Sequence, residues 1–186
     1  MNFKVLYQTL ENRENPDEVE NNGPYPCRKN PWLGNGYYFW DTFIELAHWW
    51  GKVGYKDNYF ICKCLCNDNN EEILDLVGNT SHIKYFRKCT LSLKKAYPNE
   101  TITVPFVVEN IRKMKSFGYK AIRSYPIGSS NGDKYLRKQR IYFVDKNTAY
   151  LDMMPSIQIC VLDKSFIYKG SYKIQYPEEY SEGYTI

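Results

Sequence analysis

The run Trp32-Leu-Gly-Asn-Gly-Tyr-Tyr-Phe-Trp40 constrains this chain more than any other segment. Two glycines flanking an asparagine permit a sharp turn and close backbone approach, and the aromatics directly after them suit a strand that presents flat rings. Behind this run Phe43, Leu46, Ala47 and Trp50 fall at helical spacing, and Thr42 with Glu45 has the form of a capping box. Together they predict an irregular loop over 24–36, a short strand over 37–40 and a helix over 42–51 that stops near Gly51. By itself a glycine turn before an aromatic strand is explained by packing alone.

Elsewhere the pattern predicts a strand over 3–9, then a short helix opened by Asn15, Pro16 and Glu18 and closed near Gly23. Residues 59–66 alternate as a strand, with Ile61, Lys63 and Leu65 on one side and Cys62, Cys64 and Cys66 on the other. A short element follows at 71–75. Ile83, Phe86, Leu93 and Tyr97 mark a helix that Pro98 stops, and Val107, Val108, Ile111 and Met114 mark another over about 104–117 with Gly118 as its stop. Strands are expected at 119–124, 140–145, 157–163 and 166–174. Helices cluster early and strands late, which points to an α+β fold in a single domain over residues 1–186.

The six cysteines and two histidines limit the chemistry. Met1 to Gln8 is too short and too polar for a secretion signal, and no apolar run approaches the roughly 18 residues of a spanning helix. The expectation is therefore a cytoplasmic protein without membrane association, its cysteines held as thiols. The series Cys62, Cys64, Cys66 has the spacing of one strand face and lacks a Cys-x-x-Cys pair, so it reads as packed core in preference to a metal site completed by Cys89, His48 or His82. With only His48 and His82 available, both on predicted helices, a serine or cysteine hydrolase has few parts to build from. A net charge of +4 favours anionic partners mildly, and basic runs at 112–115 and 134–140 read either as solvated faces or as contacts to a nucleic-acid backbone.

Trp32 to Asp41 followed by Ala47-His48-Trp49-Trp50 resembles the ADP-ribosyltransferase-like superfamily, in particular a bacterial branch with a WLGxGxYFW motif. The resemblance implies a split β-sheet core with flanking helices and NAD as the ligand. It places Gly34, Gly36, Tyr37 and Tyr38 at the nicotinamide, with Tyr38 stacking on it. It assigns the first family strand to Leu6-Tyr7-Gln8-Thr9, where Tyr7, or Gln8 in a register shifted by one, stands in place of the family His or Arg. The third family segment resembles 157–167, with Gln158 at the position of the catalytic Glu. Residues 118–130, with Ala121-Ile122-Arg123-Ser124, resemble a Val-Arg-Gly stretch of the same branch, and Arg123 is assigned to pyrophosphate or acceptor.

This implies mono-ADP-ribosyl transfer from NAD to a macromolecular acceptor, protein or nucleic acid, with Tyr135 and Arg137 as acceptor contacts. Catalytic roles fall to Gln158, Tyr38 and Tyr7, and ligand contacts to Gln8, Thr9, Gly34, Gly36, Tyr37, Tyr38 and Arg123. Glutamine can hydrogen-bond a ribose but cannot take a proton, which disfavours polymer synthesis. Two other classes stay open: a noncatalytic domain that binds an NAD-like ligand or a protein, and a basic nucleic-acid-binding protein whose aromatics stack on bases.

Overall fold

The computed structural model of the chain describes residues 3–67, 70–127, 133–145 and 148–181. In chain order the strands are β1 (Phe3–Glu11), β2 (Tyr37–Asp41), β3 (Tyr59–Asn67), β4 (Ile73–Asp75), β5 (Ala121–Ser124), β6 (Arg140–Tyr142), β7 (Tyr150–Asp152), β8 (Gln158–Val161) and β9 (Lys173–Tyr176). The helices are α1 (Pro16–Asn22), α2 (Ile44–Tyr55), α3 (Thr80–Ala96), α4 (Val104–Arg112) and the single turn α5 (Lys134–Arg137). Seven strands make one sheet in the order β4-β5-β8-β2-β1-β3-β9, while β6 and β7 pair with each other. All pairs in the large sheet are antiparallel except β4–β5, so the chain is α+β. No helix among the described residues is long and apolar enough to cross a membrane.

Helices cover both faces of this sheet. On one face α1 inserts Val19 among Leu6, Phe39, Phe60, Cys62, Cys64 and Ile159. On the other, α2 packs Leu46 and Ala47 on Trp40, Tyr59 and Ile61, while α4 packs Val107, Val108 and Ile111 on Leu74, Ile122 and Cys160. Leu46 is fully buried, a burial that contributes about 2 kcal/mol. The α2/α4 face therefore carries two separate apolar clusters, one built on β2 and β3 and the other on β4, β5 and β8.

The two halves of the sheet meet at β1 and β2 through the pairs Leu6↔Asp41 and Tyr7↔Trp40 and a bond from Thr42 N to Val5 O, whereas β1 and β3 pair along nine residues. The expected split core is thus one continuous sheet with a narrow junction. Beyond Tyr7 the strands diverge, and the Gln8 side chain fills the gap. Its Nε2 donates to Tyr25 O at 2.8 Å and Tyr38 O at 3.3 Å, and its Oε1 accepts from Tyr25 N at 3.0 Å and Tyr172 OH at 2.8 Å. Both donors and both acceptor directions of the amide are used, which stitches the junction where backbone pairing stops.

Several local expectations yield to tertiary packing. Thr42 does not cap α2: its backbone is left-handed at φ 69°, its hydroxyl donates to Asp41 Oδ1, and Phe43 holds the cap position. Gly51 does not end α2, because it lets the helix lie on Tyr59, whose Cγ is 2.4 Å from where a Cβ would sit. The helix runs on to Tyr55 and closes at Lys56 with φ 52°. Asn15 precedes α1 as expected, but its Nδ2 donates to Glu18 Oε2 and no backbone capping bond forms.

The second predicted long helix ends early, at Arg112, after which 113–117 continue as tight turns with Met114 N on Ile111 O and Phe117 N on Met114 O. The strand expected over 166–174 is confined to 173–176, since Asp163 caps a short 3-10 turn at Lys164–Phe166 and Gly170 turns the chain at φ 79°. Strand β7 and the turn α5 were not expected. The last residues of the 118–130 segment lie outside the described residues.

Candidate functional site

Strand pairing decides which side chains share a face. Tyr7 lies opposite Trp40, Trp40 opposite Gln158, and Gln158 opposite Ser124. Tyr38 is two residues before Trp40 and so points the same way. Tyr7, Tyr38, Trp40, Gln158 and Ser124 therefore stand on the α2/α4 face, on four adjacent strands. Lys63 joins them, because it is the β3 partner of Tyr7.

The glycine turn is fastened to this face. Tyr38 OH donates to Gly34 O at 2.8 Å and accepts from Leu33 N at 2.7 Å, so the phenol closes its own preceding turn. Burial, and then the neighbouring Cys160, push the Tyr38 hydroxyl well above the usual phenol range, so it remains a neutral donor. Gly34 adopts φ 87°, and a Cβ at Gly36 would meet Cys160 Sγ at 2.5 Å and Val161 O at 2.7 Å. Gly36 is thus required by the close approach of the turn to β8. Arg112 at the end of α4 donates to Asn35 O at 3.1 Å and ties the outer side of the turn down.

Trp32 leans back over the site. Its Nε1 donates to Gln158 Oε1 at 2.8 Å, and its ring lies 6.5 Å from that of Tyr38 at 54°. Indole nitrogen only donates, so this bond fixes the amide orientation, with Gln158 Oε1 toward Trp32. Among the described residues Nε2 has no partner, and neither do Tyr7 OH and Ser124 Oγ. These three polar groups share a sheet face with the Tyr38 ring, with Tyr7 packed in the α2 cluster and Trp32 and Tyr38 in the α4 cluster. Burial, and then Glu45, raise the Tyr7 hydroxyl above its ordinary value, so it too stays protonated.

The remaining residues singled out in the sequence go elsewhere. Tyr37 and Arg123 differ by one residue in parity from Tyr38 and Ser124 and point to the α1 face. There Arg123 is bound by Asp41 at 2.6 Å and Asp75 at 3.2 Å, and Lys4 joins Asp41 at 3.2 Å. The structure does not bring Arg123 to the rings or to Gln158. Gln8 is consumed in the β1–β2 junction. Thr9 lies on the α2/α4 face but beneath α2, its hydroxyl donating to Ala47 O at 3.0 Å. Tyr135 and Arg137 sit on α5, which Asp133 caps while accepting Trp49 Nε1 at 2.9 Å.

Trp32 and Ser124 are functional candidates that the sequence reading did not single out as site residues. Trp32 belongs to the aromatic run, but its reach to Gln158 crosses most of the chain length. Ser124 was hidden beside Arg123. The cysteines of β3 are buried in the α1-face core, and burial pushes the Cys62 thiol up to about 12. Among the described residues no group of three His, Cys, Asp or Glu side chains is placed to hold a metal ion. His48 Nδ1 lies 2.9 Å from Tyr59 OH, and His82 Nδ1 accepts from Asp75 N at 3.0 Å, so both rings hold elements together. No protein-family model, no curated protein and no solved structure matches the chain.

Proposed function

We propose that the chain is an NAD-dependent mono-ADP-ribosyltransferase acting on a macromolecular acceptor. The observation that carries this reading is the placement of Tyr7, Tyr38 and Gln158 on one face of neighbouring strands β1, β2 and β8, with Trp32 bonded to Gln158. These are the strands on which the resemblance to ADP-ribosyltransferases puts its three ligand contacts.

The residues present fit a nicotinamide nucleotide in part. Tyr38 and Trp32 supply ring faces for a planar heterocycle, and Gln158 Nε2, Ser124 Oγ and Tyr7 OH supply hydrogen bonds for an amide and a ribose. Lys63, beside Tyr7, takes the pyrophosphate role that the sequence reading gave to Arg123. NAD brings an activated glycosidic bond whose cleavage passes through an oxocarbenium-like state. Against that state the chain offers orientation and hydrogen bonding, since Gln158 neither accepts a proton nor carries charge. The acceptor must then be a good nucleophile in its own right, such as a thiol or a base nitrogen.

Incubation with labelled NAD and lysate tests the reading. Wild type transfers label, Gln158→Ala does not, and Gln158→Glu transfers faster or releases nicotinamide in water. A wild-type protein that neither transfers label nor releases nicotinamide refutes the enzyme reading. The engagement of Gln158 Oε1 by Trp32 favours a second reading, a noncatalytic domain that binds an NAD-like ligand. In that case calorimetry detects NAD binding without turnover, and Trp32→Ala alters the affinity.

A further inference from the structure

Helix α3 carries a charge pattern that the site above does not use. It has five Lys/Arg and no Asp/Glu. Its apolar residues Tyr85, Phe86, Cys89 and Leu93 pack into the cluster beneath α4. Lys84, Arg87, Lys88 and Lys95 occupy the opposite side, where with Leu91 and Ser92 they line one shallow surface. From Lys84 to Lys95 this row extends about 16 Å at 1.5 Å per residue. Among the described residues none of the four has a carboxylate partner.

The charge is segregated along the chain as well. Residues 80–120 hold nine Lys/Arg and two Asp/Glu, so the rest of the chain is net negative although the whole is +4. Arg112 at the end of α4, the helix that packs against α3, and Lys113 and Lys115 in the turn after it are exposed. Repulsion among these cations disfavours the folded state, and nothing in the packing of α3 requires them.

We propose that this face of α3 binds the phosphate backbone of duplex DNA. A row of unpaired cations is complementary to a regular line of phosphates. No residue of α3 is fully buried, and its basic face, opposite the side packed on α4, is open to a major groove about 12 Å wide, which A-form RNA does not offer. Single strands are bound by stacking on rings, and the basic row contains none. Insertion into a lipid surface needs a free apolar stripe, and that of α3 is spent on α4. The binding is independent of sequence and of the NAD reading.

Fluorescence anisotropy of the full chain with a labelled DNA duplex tests this. Four phosphate contacts predict a slope of log affinity against log salt of about −3.6, a loss of about 100-fold between roughly 50 and 200 mM. The combined Lys84→Gln, Arg87→Gln, Lys88→Gln and Lys95→Gln variant flattens that slope, while Lys52→Gln with Lys169→Gln, two exposed lysines outside α3, leaves it unchanged. Circular dichroism establishes that the variants are folded; if the fourfold variant is not, Lys84→Gln with Lys88→Gln lowers the slope by about 2. Absence of duplex binding at about 50 mM salt overturns the proposal. Full binding by a folded α3 variant, or tighter binding of single strands, duplex RNA or anionic vesicles than of duplex DNA, overturns it equally.

Discussion

Replacing Tyr38 with phenylalanine removes one oxygen and leaves a ring of nearly the same shape, so its effect isolates the two hydrogen bonds that close the glycine turn. In the wild type that oxygen lies 2.7 Å from Leu33 N and 2.8 Å from Gly34 O. Leu33 is fully buried and Gly34 is buried beside it, so water does not replace the lost partner. Gly34 O keeps only a weak contact from Cys160 Sγ at 3.9 Å, and Leu33 N keeps none among the described residues. Losing the bond to Gly34 O costs about 1 kcal/mol and orphaning the buried Leu33 N–H costs about 1–3 kcal/mol, a destabilisation of about 3 kcal/mol together. In a chain of 186 residues this lowers the melting temperature by about 6–12 °C. Urea unfolding gives the measurement directly, with a lower midpoint at unchanged slope. A loss under about 0.5 kcal/mol refutes the claim that the phenol anchors the turn. On the NAD reading proposed above, the persisting ring makes Tyr38→Phe bind NAD more tightly than Tyr38→Ala in calorimetry.

Three further outcomes follow from the packing. Gly36→Ala forces a methyl group onto Cys160 Sγ and Val161 O and lowers stability by about 2 kcal/mol or more in urea unfolding, since the backbone oxygen of β8 cannot move aside alone. Gln8→Leu strands Tyr172 OH and the main chain of Tyr25, costing about 3 kcal/mol, and hydrogen exchange at Tyr25 N accelerates more than at β3. Burial opposes ionisation of Asp75, but bonds from Val77 N and Gly78 N and the Arg123 guanidinium outweigh it and hold its carboxyl below the ordinary 3.8. Its unfolded form binds protons first as pH falls. The stability it contributes is therefore complete above about pH 5 and is lost as pH drops through the folded value, and Asp75→Asn removes that part of the acid transition.

Sequence periodicity was a reliable guide where an element packs by one repeating stripe. Strands β1 and β3 and helix α3 lie close to their predicted positions for that reason, and Pro98 follows α3 as expected. It failed where a distant ring or carboxylate decides the outcome. Gly51 looks like a helix stop until Tyr59 of β3 is laid against it, and Thr42 looks like a cap until β2 extends through Asp41 toward Arg123. The segment 166–174 alternates like a strand, yet Asp163 and Gly170 fold it into turns.

The aromatic run itself was legible as a turn followed by a strand, and so was the likeness that singled out Tyr7, Tyr38 and Gln158. Within any one strand, alternate residues share a face as a matter of backbone geometry, which the sequence alone determines. Which face of one strand matches which face of the next is set by register. A slip of one residue would exchange Tyr7 for Gln8, Tyr38 for Tyr37 and Ser124 for Arg123. The pairs Tyr7↔Trp40, Trp40↔Gln158 and Gln158↔Ser124 settle that choice, and they form only when the strands meet. The same long-range contact brings Trp32 to Gln158 across 126 positions of sequence, where no local pattern could indicate it.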